Sequence, residues 1–370
     1  MSRARDFADL ASAYSGGALG KRNMIINGNM AVSQRATSAT GLGASEEYVA
    51  LDRMLVSPGS AATAGRFTMT QTADGPSGIA NCLKLACTTA DTSIAASEKL
   101  GIVYVFEGQD VQRLKKGTSD AEAITLSFYV KGNTSATYVC ELVDLDNTRH
   151  IAKTFAVTTS WNRIELTFAG DTTGALDDDN AGSLQITFWL HGGSTYTGGT
   201  LPSSWASTSN ANRAGGLSTS FYDATSRTFF LTGLQMEVGE VATAFEHESY
   251  GDNLQRCQRY FYKFLSTNVY GALGATGMQI NTNATSGVMF QGTHPVMMRA
   301  APTMAIGGSW SAEAATGSTT FELAESVRTN IYTWQSQEAI PSSNASDGAA
   351  AMAYAENRAD AFLSGSAELS

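Results

Sequence analysis

The chain has 370 residues, enough for two or three ordinary domains, and 43% of them are hydrophobic against only 16% charged. Glycine is abundant at 36 residues and proline scarce at 6, the profile of a β-rich, loop-rich structural protein rather than a helical enzyme. A net charge of −10 argues against duplex nucleic acid, which needs clustered Lys and Arg to displace counterions, and against attraction to anionic lipid headgroups.

The opening segment, residues 1–22, reads "MSRARDFADLASAYSGGALGKR". It mixes charge with small residues and ends in a Gly-rich exit, so a short helix at best followed by a linker is expected. It has no apolar h-region, which predicts synthesis in a cytoplasm without a secretory signal. No apolar run along the chain approaches the ~20 residues of a membrane span.

From Asn23 short apolar runs alternate with turn residues. Ile124, Leu126, Phe128 and Val130 share one strand face, as do Ile164, Leu166 and Phe168, and Leu184, Ile186, Phe188 and Leu190. The same alternation in "RTFFLTGLQMEVGE" puts Phe230, Leu234, Met236 and Val238 together. Such period-2 patterning without long intervening helices predicts a mainly-β, antiparallel jelly-roll β-sandwich over residues 23–250. After Gly251, "DNLQRCQRYFYKF" has helical spacing at Leu254, Cys257, Phe261 and Phe264, with Asp252 as N-cap. Short β-like pieces then predict a smaller β-rich domain over 251–370, with the Ala-rich tail helical at first. Cys82, Cys87, Cys140 and Cys257 show no Cys-x-x-Cys spacing and read as small core hydrophobes.

Four features invite a chemical reading. Glu246, His247 and Glu248 are adjacent, but on an extended chain His247 faces away from both carboxylates, and a zinc-protease helix would need a second His where Gly251 stands. Asp177, Asp178 and Asp179 form an oxygen-rich loop that suits Ca²⁺ chemically but lacks the EF-hand register, so a solvated acidic loop competes with it. Trp189, Tyr196 and Trp205 lie in or beside a Gly-Ser-Thr-rich loop; they suit stacking on a sugar, or equally packing beneath that loop or at a subunit contact. The four histidines, His150, His191, His247 and His294, offer no metal-ligand pair, and no nucleophile elbow or phosphate loop occurs. The carboxylate pair of a polysaccharide depolymerase would leave no local motif.

Several stretches resemble the jelly-roll fibre proteins of tailed bacteriophages. "KRNMIINGNMAVSQRAT" is similar to their first strand, and "YVALDRMLV" to the Tyr…Asp-Arg motif of the second, with Met54 where that family has Trp. "FYVKGN" and "TTSWNRIELTFAGD" resemble later sandwich strands. "FFLTGLQMEVGEVATAFEHESYGDNLQRCQRYFYK" resembles the last strand, the following turn and the next helix. "HPVMMRAAPTMAIGG" is similar to their C-terminal domain, and "SRARDFADLA" to the virion-attachment start of some marine-phage fibres.

The resemblance implies a non-enzymatic viral structural protein of the virion: a tail fibre, head fibre or spike active in host attachment. Its carbohydrate-binding jelly roll would contact host cell-surface glycan or receptor, and residues 1–22 would join other virion proteins. It implies a homotrimer, in keeping with low charge and many strands whose edges and faces need covering. In that family the Phe-Glu-His-x-x-Tyr-Gly sequence is a junction, so Glu246, His247 and Tyr250 are expected to clamp sandwich to helix through backbone hydrogen bonds. The alternatives are a depolymerase and a head decoration or cap protein without ligand. No cofactor is expected apart from the candidate Ca²⁺.

Overall fold

The computed structural model describes residues 21–59, 64–265, 278–280, 288–307, 310–314, 317–321, 327–338, 351–355 and 361–369. The expected attachment segment therefore lies, up to residue 20, outside the described residues. The chain divides into two units, one running through Asn253 and including Leu369–Ser370, the other Leu254–Glu368.

The first unit is built from β1 (Ser38–Leu42), β2 (Glu47–Tyr48), β3 (Leu55–Ser57), β4 (Arg66–Thr72), β5 (Cys82–Thr89), β6 (Lys99–Glu107), β7 (Ile124–Gly132), β8 (Ala136–Asp144), β9 (Arg149–Val157), β10 (Asn162–Phe168), β11 (Gly182–Gly192), β12 (Ala206–Ser207) and β13 (Thr228–Val238). They form a six-stranded sheet in the order β1-β4-β5-β13-β7-β10 and a seven-stranded sheet in the order β12-β9-β8-β11-β6-β3-β2. Every pairing among the described residues is antiparallel, the topology of a jelly-roll sandwich.

The alternating residues meet in one core. Leu126, Phe128 and Val130 of β7, Leu166 and Phe168 of β10, and Leu184, Ile186, Phe188 and Leu190 of β11 are all buried there. Phe128 makes edge-to-face contacts with Phe155 at 5.2 Å and Phe188 at 5.1 Å, a geometry favoured by the ring quadrupole. All four cysteines are free and buried, and burial pushes the Cys82 thiol up to about 11.

β13 departs from simple alternation. Phe229 and Leu231 enter the core, whereas Phe230 lies on the outer face, and after the irregularity between Thr232 and Gln235 the inward residues are Leu234 and Met236. The cause is Gly233 at φ +61, which adds a residue and reverses the parity of everything beyond it. Periodicity read through the bulge misassigned Phe230.

The segment beginning at Asn23 is not a strand. Met24 N donates to Met236 O at 3.0 Å, and the Asn23 carboxamide accepts from Met236 N at 3.1 Å and donates to Leu234 O at 3.2 Å. An irregular segment thus satisfies the β13 groups that β5 leaves unpaired beyond the bulge. The Asp-Arg pair is structural: Asp52 accepts from Gln34 N at 2.9 Å, while buried Arg53 donates to Val105 O and lies 5.1 Å from the Tyr104 ring centroid.

The helix spans Tyr250–Gln258. Its cap is Ser249 rather than Asp252: Ser249 Oγ accepts from Asp252 N at 3.2 Å and donates to the Asp252 carboxylate at 2.8 Å. Phe261–Leu265, expected to continue the helix, is a strand. In the second unit it pairs with Phe362–Ser366, which also pairs with Thr303–Gly307. Two further small sheets complete a β-rich unit, and Ala351–Ala355, expected as helix, is a strand in one of them. Pairing with Trp310–Ala314 overrides alanine's helix preference there.

Candidate functional site

The outer face of the seven-stranded sheet carries a groove of about 350 Å³. Its apolar lining comes from Leu55, Val103, Val143 and Leu145; its polar lining includes Glu46, Lys99, Gln185 and Arg213. Register explains the convergence. On β11 the residues alternating with core Ile186 and Phe188 are Gln185, Thr187 and Trp189, and Leu55 of β3 pairs with Val103 of β6. At its inner end a second, smaller cavity shares Lys99, Gln185 and Arg213 with the groove and adds Gly101, Thr187 and Trp189.

Beside the groove lies a buried polar network centred on Glu141 of β8. Its carboxylate accepts from Trp189 Nε1 at 2.8 Å, from Arg213 Nε at 3.0 Å and Nη2 at 3.0 Å, and from His150 Nδ1 at 2.8 Å. A fully buried carboxylate is tolerable because an opposite charge and several donors surround it. Arg213 comes from the short helix Asn210–Arg213, so the ion pair pins the long loop between β11 and β13 onto the sheet. Lys99 and Arg213 both lie over the Trp189 ring, at 5.9 Å and 5.1 Å from its centroid. Burial, with Arg213 adding to it, pushes the Lys99 ammonium below the ordinary lysine value.

Of the three aromatics singled out in the sequence, Trp189 faces away from the core as alternation required, yet it is fully buried with Val139, Ala152 and Ala214. Tyr196 is half-buried against it, the ring centroids 5.2 Å apart. Trp205 is elsewhere: it is buried, donates to Ala169 O at 2.8 Å and has Lys116 5.3 Å from its ring. The three rings therefore form no common stacking platform, and packing under the loop accounts for Trp189 and Tyr196.

Asp177, Asp178 and Asp179 are exposed, and the Asp179 carboxylate is used on Ala181 N at 2.8 Å. Among the described residues no group of three or more acids, histidines or cysteines is arranged to hold a metal.

The junction residues divide. Glu246 accepts from Asn23 N at 2.7 Å, and its own N–H donates to Gln235 Oε1 at 2.8 Å, a clamp through the backbone. His247 is exposed and, among the described residues, meets only the Phe245 ring at 5.1 Å, and Tyr250 is 60% exposed. The expected clamp by His247 is not formed, because alternation that turns Glu246 inward turns His247 outward.

The groove residues Lys99, Arg213, Gln185 and Glu46, and Glu141 beside them, carry no local motif. They come from five separated segments, and only the hint that Trp189 faces away from the core pointed to this surface.

No protein-family model matches the chain, and no curated protein matches it by sequence. Solved structures similar to it include the family 11 carbohydrate-binding module of Clostridium thermocellum in complex with a mixed-linked tetrasaccharide, at 14% identity and TM-score 0.27, covering 57% of this chain and 99% of that one. A family 30 carbohydrate-binding module aligns at 10% identity and TM-score 0.30, covering 59% of this chain and 89% of that one. The enzymatically active domain of tailspike protein 4 of bacteriophage CBA120 aligns at 11% identity and TM-score 0.31, covering 59% of this chain and 21% of that one. At these scores the likeness carries no argument about function. Among the described residues no helix is long and apolar enough to cross a membrane.

Proposed function

We propose that this chain is a non-enzymatic structural protein of a tailed-bacteriophage virion, a fibre or spike that contacts host-surface glycan through the groove on the seven-stranded sheet. The single observation that carries the glycan reading is the groove itself: polar donors and acceptors ring an apolar floor of Leu55, Val103, Val143 and Leu145. A sugar presents the same mixture, hydroxyls at its edge and C–H groups on its face. The phage assignment is supported by the sequence resemblance running from Asn23 through the capped helix, and it carries with it the homotrimer and the attachment role of residues 1–22.

The groove lining favours binding over cleavage. Glycoside hydrolysis needs two carboxylates flanking the bond. Of the two in the lining, Asp144 is buried and already paired with Lys116, which also holds Asp171 at 3.0 Å. Glu46 stands without a second free acid among the described lining residues.

A glycan array probed with the full chain tests the reading. Binding should appear, and Gln185→Ala should weaken it about two- to tenfold through loss of one hydrogen-bonding group. No binding to any glycan, or release of reducing sugar from a bound polysaccharide, would sink it. Light scattering that shows a monomer at micromolar concentration would remove the homotrimer. Particles lacking the protein that adsorb normally but fall apart would assign it to decoration instead.

A further inference from the structure

We propose that the groove reads an anionic substituent, a carboxylate or a sulfate, on its glycan, with Lys99 and Arg213 as the specificity-determining pair at its inner end. The inference rests on the glycan-binding reading above and names the class of ligand.

Lys99 is the first residue of β6 and pairs with Gly192, so its side chain runs over the outer face beside Trp189. Its stem is held in place: Gly59, at φ +73, lies so close that a Cβ there would come 2.4 Å from Lys99 Cε. The ammonium reaches 5.9 Å from the Trp189 centroid and 6.0 Å from that of Tyr196. Among the described residues it makes no hydrogen bond and no ion pair. A half-buried ammonium with no carboxylate in ion-pair contact costs desolvation; burial and Arg213 lower its pKa, and Glu46 and Glu141 oppose them only from a distance.

Arg213 also lies over the Trp189 ring, 5.1 Å from its centroid. Its Nε and Nη2 are consumed by Glu141, which cancels one charge, but its Nη1 has no partner among the described residues. Two acceptors near this end are engaged. Thr187 Oγ1 accepts from Gln185 at 2.8 Å, and Glu46 accepts from Ser57 Oγ at 2.8 Å, outside ion-pair distance of Lys99. The inner end therefore offers donors and positive charge and asks for an acceptor. An anionic oxygen meets that demand with charge-assisted hydrogen bonds; a neutral hydroxyl meets it only in part.

The test uses the full chain on an array of matched oligosaccharides in carboxylated, sulfated and carboxyl-reduced neutral forms. The parent protein should prefer one of the acidic forms over its neutral partner by about ten- to hundredfold. Raised salt should shrink that preference. Lys99→Gln should abolish it while keeping the melting temperature, and Lys84→Gln, on the other sheet, should leave it intact. Equal binding of acidic and neutral forms by the parent, or a preference that survives Lys99→Gln, would overturn this inference and leave glycan binding standing. Binding of no oligosaccharide at all would overturn both.

Discussion

On the outer face of the six-stranded sheet Phe230 packs against Trp161 at 6.2 Å, and Lys131 lies 4.9 Å and 4.8 Å from the two ring centroids with its ammonium 2.8 Å from Asp74. On the outer face of the seven-stranded sheet Trp189 has Lys99 and Arg213 over its ring, but the carboxylate beneath, Glu141, is taken by Arg213. Both faces combine an aromatic with cations. The first closes its electrostatics internally, because Asp74 reaches the lysine that covers the rings. The second leaves Lys99 with no carboxylate in ion-pair contact, only the more distant pull of Glu46 and Glu141. What separates the closed surface from the proposed binding face is thus the position of one carboxylate and the loop that Arg213 anchors.

The sharpest way to break this contrast is Glu141→Ala. It strands half-buried Arg213 together with the buried Trp189 and His150 donors, so denaturant unfolding should show a loss of about 3–5 kcal/mol. A loss under about 1 kcal/mol would mean that the loop is not held by this network. On the other sheet Gly233→Ala should cost about 1–3 kcal/mol, since its φ of +61 disfavours a side chain and a Cβ would lie 2.8 Å from Ile79 Cδ1. Lys131→Ala should cost only about 0.5–1 kcal/mol and change no glycan affinity, because its contacts are surface cation–π and ion-pair contacts.

Acid should act on the seven-stranded face. His191 is fully buried there, its Nδ1 2.8 Å from Ser220 Oγ, and burial lowers its pKa below 6.5 despite the opposing pull of Glu98. A histidine held neutral stabilises fully above its unfolded pKa, and that contribution is lost as pH falls through the lower folded value. Melting temperature should therefore fall with pH below 6.5, and His191→Gln should flatten the curve. The smallest effect belongs to His247→Ala, within about 0.5 kcal/mol, because the ring is exposed and, among the described residues, touches only Phe245. Glu246→Ala should cost more, about 1 kcal/mol, through the lost bond to Asn23 N.

Sequence alone determined what strand periodicity encodes: the mainly-β sandwich, the inward faces of β7, β10 and β11, the outward face of Trp189 and the buried cysteines. Alternation survives translation into structure because each strand has only two faces and one of them must leave water. It failed where one residue changes the count, as at Gly233, and where a partner strand outbids local propensity, as at Phe261–Leu265 and Ala351–Ala355. The groove was beyond it for a different reason. Glu46, Lys99, Glu141, Gln185 and Arg213 lie tens of residues apart, and neither their proximity nor the pairing of Glu141 with Arg213 rather than Lys99 is written in any local pattern. Those are distances, set by strand order and by the loop folding back across the sheet, and only the tertiary structure fixes them.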